Sequence, residues 1–299
     1  MKKTMTILGL GLAGMASGAD ISTLHYSLPD TGIAPSFVEV TYISRMRQRH
    51  GGSDMSLQRF DVTLPLSDPR KTSWNNFYIN AQLDINFTNI NAGGTLHLKN
   101  EAMYNVALPV SFIYQRANGN TLTFGVAPEL ATDGDAIGKG TDLAAYAMYT
   151  IKYNDTFKYT IGAAISPRFA VNGLVPFFGF EWTPNTQWTV QMKGYKMTAL
   201  YHVNDKLSVG PFVAGEGGIW AVDTPRGDEF FRVRSLIMGL TAEYDFSEPG
   251  ETKRIMTFSL GTNVATHAEF LKRNADKDSV ESHHYKPALY VSAGVDFRF

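Results

Sequence analysis

Cysteine is absent from all 299 residues. That excludes a disulfide framework, a thiolate nucleophile and any thiolate-bound metal, so the fold must be held by backbone pairing and packing. Past the first nineteen residues no run of eighteen apolar residues occurs, which excludes membrane-spanning helices. Membrane-spanning strands survive that test, because each needs only one apolar face. An excess of charge of either sign is missing as well: 27 basic residues stand against 28 acidic ones, a formal net charge of −1. Nothing in that balance points to a nucleic-acid partner.

What is present begins with a targeting pattern. Lys2 and Lys3 precede an apolar stretch from Met5 to Met15 that is too short to cross a bilayer, and Ser17 and Ala19 occupy the small-residue positions of a cleavage site. Residues 1–19 are therefore expected to be a signal peptide, with the mature chain starting at Asp20. Gly9, Gly11 and Gly14 have dinucleotide-fingerprint spacing, but no βαβ unit surrounds them and the match carries no function. Residues 20–35 contain Pro29, Gly32 and Pro35 without alternation and are expected to form a periplasmic lead or partial plug. Residues 36–299 form the main domain.

The pattern of that domain is period two. Phe77, Ile79, Ala81, Leu83, Ile85 and Phe87 alternate with Tyr78, Asn80, Gln82, Asp84 and Asn86, which a strand sends to opposite faces. Tyr104–Gln115, Leu143–Tyr153 and Phe157–Arg168 repeat the pattern, and Asn154 and Asp155 form a tight turn between the last two. Such strands are about ten residues long, where soluble strands average five or six. Tilted by about 40°, ten residues rise roughly 25 Å, the height of an outer-membrane apolar band. Aromatics bracket the apolar faces, Phe77 with Phe87 and Tyr104 with Tyr114, as two interfacial girdles would. A soluble β-sandwich would show shorter strands and a polar outer face.

The last strand, Tyr285–Phe299, puts Leu289, Val291, Val295, Phe297 and Phe299 on one face. A terminal strand ending on an aromatic resembles the signature by which the barrel assembly machinery recognises outer-membrane proteins, so Phe297 and Phe299 are expected to be the assembly signal. Counted back from that end, turns alternate between the two sides of the membrane, with Thr266–His284 as a long external loop. The count is fourteen antiparallel strands beginning near Phe37, or twelve if Trp188–Lys193 and Lys196–Val203 are one bent element. The expected fold is all-β, an antiparallel transmembrane β-barrel.

The stretch from Leu174 to Trp220 carries Pro176, Gly179, Trp182, Pro184, Asn185, Trp188, Tyr201, Asn204 and Asp205. In this it resembles the central segment of a family catalogued as domain of unknown function 6268. The resemblance implies a barrel and no activity.

Catalytic chemistry has little support. The seven histidines fall before the barrel, in loops or at strand edges, and alternation puts no serine beside one. Adjacent His283 and His284 point to opposite faces, which argues against a metal site. No enzyme, metal or cofactor is expected. Arg45, Arg47 and Arg49 share one face of the first strand, and Arg59 joins Asp61 on the polar face of the second. Two accounts of these four arginines stand open: lumen and rim charges balanced by carboxylates, or an electropositive patch for anions or lipopolysaccharide phosphates. Small residues expected inside, Gly125, Ala127, Gly162, Ala164, Ser166, Ser292 and Gly294, leave room in the lumen. The expected function is a passive outer-membrane channel or small-solute transporter, with a closed structural or surface-interaction barrel as the alternative and a lipid hydrolase less favoured. Expected partners are outer-membrane lipid and lipopolysaccharide, the barrel assembly machinery and small solutes, and no nucleic acid.

Overall fold

The computed structural model describes residues 36–51, 54–66, 76–93, 96–165, 174–248, 253–272 and 279–298. The expected signal peptide (residues 1–19), the expected lead or partial plug (residues 20–35), Ser166 and Phe299 lie outside the described residues.

Among the described residues sixteen strand segments follow one another: β1 (Ser36–Arg47), β2 (Asp54–Pro65), β3 (Phe77–Asn91), β4 (Ala102–Ala107), β5 (Val110–Gln115), β6 (Thr121–Thr132), β7 (Thr141–Lys152) and β8 (Phe157–Ile165). They continue with β9 (Val175–Asn185), β10 (Trp188–Lys193), β11 (Lys196–His202), β12 (Leu207–Thr224), β13 (Gly227–Asp245), β14 (Lys253–Lys272), β15 (Ser279–Tyr285) and β16 (Ala288–Arg298). Two crossings are each interrupted at a proline, which has no N–H to give a ladder. β4 and β5 flank Pro109 and stay in one register on β3, Ala107 opposite Asp84 and Val110 opposite Ala81. β15 and β16 flank Pro287 and share β14 in the same way. The chain therefore crosses fourteen times, and Trp188–Lys193 and Lys196–His202 are separate antiparallel strands. β1 pairs with β16, Ser36 opposite Phe297 and Ile43 opposite Tyr290, so the sheet closes and leaves no edge.

Alternation becomes an inside-out distribution. Val38, Val40, Phe60, Leu64, Ile85, Phe112, Phe124, Leu240 and Phe258 are exposed on the outside, while Thr41, Arg59, Asp61, Thr63, Asn80, Gln82, Asp84 and Asn105 are buried inside. A soluble domain buries the opposite set; a membrane barrel exposes apolar residues to lipid. Both girdles form: Phe77 meets Tyr114 with centroids 4.7 Å apart, and Phe87 meets Tyr104 at 5.4 Å. The residues that bracket adjacent strands in sequence are thus cross-strand pairs, each adding about 0.5–1.5 kcal/mol beyond its burial.

The end of the barrel away from the termini, called distal below, is asymmetric. β12, β13 and β14 run for 18, 19 and 20 residues, whereas β10 and β11 have 6 and 7 and turn at Gly194 and Tyr195. β11 accompanies β12 only to the Lys196–Ala214 pair. Above that level β12 has lost its neighbour and turns inward. It reaches β6 on the far wall, where Ala221 pairs with Thr132 in parallel and the Asp133 N–H donates to the Ala221 carbonyl at 3.1 Å. The distal end is thereby a smaller ring that omits β7 to β11. Its interior is apolar: Met46, Met55, Ile90, Met103, Trp220, Val222, Phe231, Phe270 and Tyr285 form one buried cluster.

This corrects one expectation. Most of Thr266–His284 is not loop but the distal ends of β14 and β15, paired from Thr266 with Tyr285 to Leu271 with Ser279. Its polarity reflects an outer face that lies above the apolar band.

Candidate functional site

The candidate site is the barrel interior at mid-height, where β12 leaves the wall. Gly215, Glu216, Gly217 and Gly218 lie at that point. A Cβ on Gly217 would stand 2.1 Å from the Val233 carbonyl oxygen, so only glycine fits this close strand approach. On the other face of the strand Glu216 points inward with Phe212, Ala214 and Trp220, and meets the opposite wall.

Arg59 on β2 holds that meeting. Its Nε donates to both Asp61 oxygens at 2.8 and 3.0 Å, and its Nη1 donates to the Gly217 carbonyl at 2.9 Å and reaches Glu216 Oε2 at 3.4 Å. One guanidinium thus joins a carboxylate of its own strand to a strand across the lumen, a geometry that the planar fork of arginine provides and lysine does not. A second contact lies near the distal surface: Lys99 Nζ is 2.5 Å from Asp223 Oδ2, and this hydrogen bond holds the lysine above its ordinary pKa. Asp133 Oδ2 also accepts from the Asp223 N–H at 3.0 Å.

Below the inward turn the lumen is polar. Asp61 accepts from Asn86 at 2.6 Å, Asp84 accepts from Thr63 at 2.6 Å, and Glu181 lies 3.2 and 3.6 Å from Lys158 and Lys193. Asn80 Oδ1, Asn105 Oδ1 and Thr198 Oγ1 have no protein partner among the described residues; buried polar groups of this kind are served by water. A cavity of about 30 Å³ beside Arg59, Glu216, Trp220 and Ser235, and another of about 20 Å³ beside Asp61, Asp84 and Asn105, are each large enough for a water or two.

The small inward residues do not simply leave space. The Tyr146 ring covers Gly125, with its hydroxyl 2.6 Å from Ser111 Oγ, and Phe177 covers Gly162. Glycine lets each aromatic lie flat on the wall instead of crossing the lumen.

The four arginines expected to form one patch are not brought together. Arg59 is buried inside, but a β-bulge between Ile43 and Met46 inserts one residue into β1 and exchanges its faces. Met46 becomes the inward residue, and Arg45, Arg47 and Arg49 stay exposed on the outer side with Tyr42, at the distal rim. Arg45 Nε pairs there with Asp54 at 2.7 Å. Phe297 lies on the closing seam opposite Ser36 and Arg254.

Cross-strand register also places serines beside histidines, which alternation within single strands does not reveal. His202 lies between Ser208 at 2.7 Å and Thr189 at 2.8 Å, without a carboxylate on its ring among the described residues. His267 Nε2 is 2.6 Å from Ser282 Oγ, and its Nδ1 is 3.7 Å from Glu269, an outline close to a serine, histidine and acid triad. Arg234 Nη2 lies 2.8 Å from the same Nδ1. A guanidinium can only donate, so Nδ1 accepts and the ring proton sits on Nε2. That imidazole donates to Ser282 and has no lone pair left to take its proton. No cluster of three metal-ligating residues is found among the described residues.

Residues 37–298 match the family described as domain of unknown function DUF6268, and the chain belongs to that family. No curated protein matches the chain. Among solved structures it is similar to the COG4313 outer membrane channel from Pseudomonas putida F1, at 10% identity over 92% of this chain and 98% of that one, with a TM-score of 0.45. It is also similar to the toluene transporter TodX of P. putida, at 10% identity over 91% and 92% with a TM-score of 0.36. The KdgM porin matches at 7% identity over 88% and 99%, with a TM-score of 0.34.

Proposed function

We propose that the chain is an outer-membrane barrel that passes small solutes through a gated lumen, its terminal end in the periplasm and its distal end outside. The observation that carries the reading is how the distal end is closed. Fourteen strands spaced by about 4.8 Å and tilted by about 40° form a ring roughly 28 Å across, wider than wall side chains can fill. The wall itself does the closing: β12 crosses to β6 above a polar, water-serving interior. Few polar contacts hold this crossing, chiefly those of Arg59, Lys99 and Asp133. From the small number of these polar contacts among the described residues we infer a second position for the strand, back along the wall.

The rival reading, a permanently closed structural barrel, is favoured by the apolar cluster that fills the distal ring. Planar-bilayer recording of the folded full chain separates the two. Unitary current steps support the gated channel, and a folded protein that never conducts supports the closed barrel. The tautomer that Arg234 imposes on His267 speaks against a hydrolase.

A further inference from the structure

We propose that the outer surface of the distal rim, from β1 across β15 and β14 to β13, binds the phosphate groups of an anionic membrane lipid. The site depends on the barrel spanning a membrane but not on its lumen conducting, so it and the channel reading fail separately.

Four adjacent strands build it. The bulge in β1 brings Arg45, Arg47 and Arg49 to the outside. The Lys286 N–H donates to the Arg47 carbonyl and the Arg49 N–H to the His284 carbonyl, which sets exposed Lys286 and His284 beside the row. His284 stands opposite His267, with stacked rings 4.4 Å apart, and His267 stands opposite Arg234. Among the described residues, Arg45, Arg47, Arg49, Lys286, Arg232 and Arg234 thus face two carboxylates on this surface, Asp54 and Glu269. Both are already engaged, Asp54 by Arg45 and Glu269 by Arg232 and Arg234. Arg47, Arg49 and Lys286 have no carboxylate partner among the described residues.

Position decides the ligand. The same outer faces, three to seven residues nearer the membrane centre, carry exposed Tyr42, Leu289, Met238 and Leu260. The basic groups therefore sit where an acyl-chain layer ends and headgroup phosphates begin. Arginine forks bind phosphate through paired, charge-assisted bonds, and uncompensated cations at a lipid surface draw in anionic headgroups. A soluble anion would have no use for the apolar surface directly below.

The test uses folded full-length protein in neutral detergent with bis-phosphorylated lipid A as the probe, read by lipid retained after washing. Retention is expected for lipid A, is lost when both phosphates are removed from the lipid, and resists millimolar inorganic phosphate. The triple variant R47Q/R49Q/K286Q is expected to retain at least about tenfold less lipid at low salt, while R47K/R49K, which keeps the charge but loses the paired bonds, falls in between. Equal retention of phosphorylated and dephosphorylated lipid, which needs no variant, overturns the proposal. So does displacement by inorganic phosphate, which marks a free-anion site, or a folded triple variant with unchanged retention.

Discussion

At the scale of single residues, Arg59 does the most. Replacing it by glutamine removes the guanidinium between the Asp61 and Glu216 carboxylates, and breaking a buried pair of this kind costs about 3–5 kcal/mol. R59Q is expected to lower the temperature at which the folded band disappears on unboiled SDS gels and to raise the open probability in bilayers. The double variant R59Q/E216Q should recover part of the stability, since it removes a repelling carboxylate. An unchanged melting temperature for R59Q contradicts the account. Gly125 offers an independent check: a Cβ there would lie 2.0 Å from the Tyr146 ring, so G125A must displace the ring from Ser111. Overpacking of this sort costs about 1–3 kcal/mol, read on the same gels as a lower midpoint. The inward position of Arg59 beside Asp61 was legible from alternation alone. Its partner Glu216 was not, because contacts across a barrel have no signature in sequence separation, and neither was the β1 bulge that sends Arg45, Arg47 and Arg49 outward.

At the scale of elements, β16 is both last strand and seam. Its pairs with β1 run from Ser36 with Phe297 to Ile43 with Tyr290, and its pairs with β14 from Lys253 with Arg298 to Asn263 with Ala288. Removing Phe297 to Phe299 shortens both ladders at once and removes the aromatic end proposed as the assembly signal. Membrane-inserted protein is expected to fall far more than after removal of three residues from 273–278, as judged by heat-modifiable protein in membrane fractions. Equal levels would count against a special role for the end of β16. Crossings with an apolar outer face, such as β3 and β7, were readable because lipid demands alternation at every second residue. The distal ends of β14 and β15 were not, because their outer faces lie above the apolar band and carry His267, Glu269, Ser282 and His284. Prolines 109 and 287 break hydrogen bonding but not register, so each interrupted crossing still reads as one strand.

At the scale of the whole molecule, strand number and closure follow from patterns repeated along the chain, and the count of fourteen needed only the turns between them. The distal constriction is of another kind. It arises from a mismatch of lengths, two short strands at β10 and β11 beside three long ones, which frees β12 to leave the wall. The absence of native cysteine allows this to be tested with one engineered disulfide between paired positions on β6 and β12, T132C/A221C. Recorded in planar bilayers, the reduced variant should show the intermittent openings of the unaltered protein, and oxidation should silence them until reductant is added. Openings that persist in fully oxidised protein, or a reduced and folded protein that never conducts, would contradict a channel gated by β12.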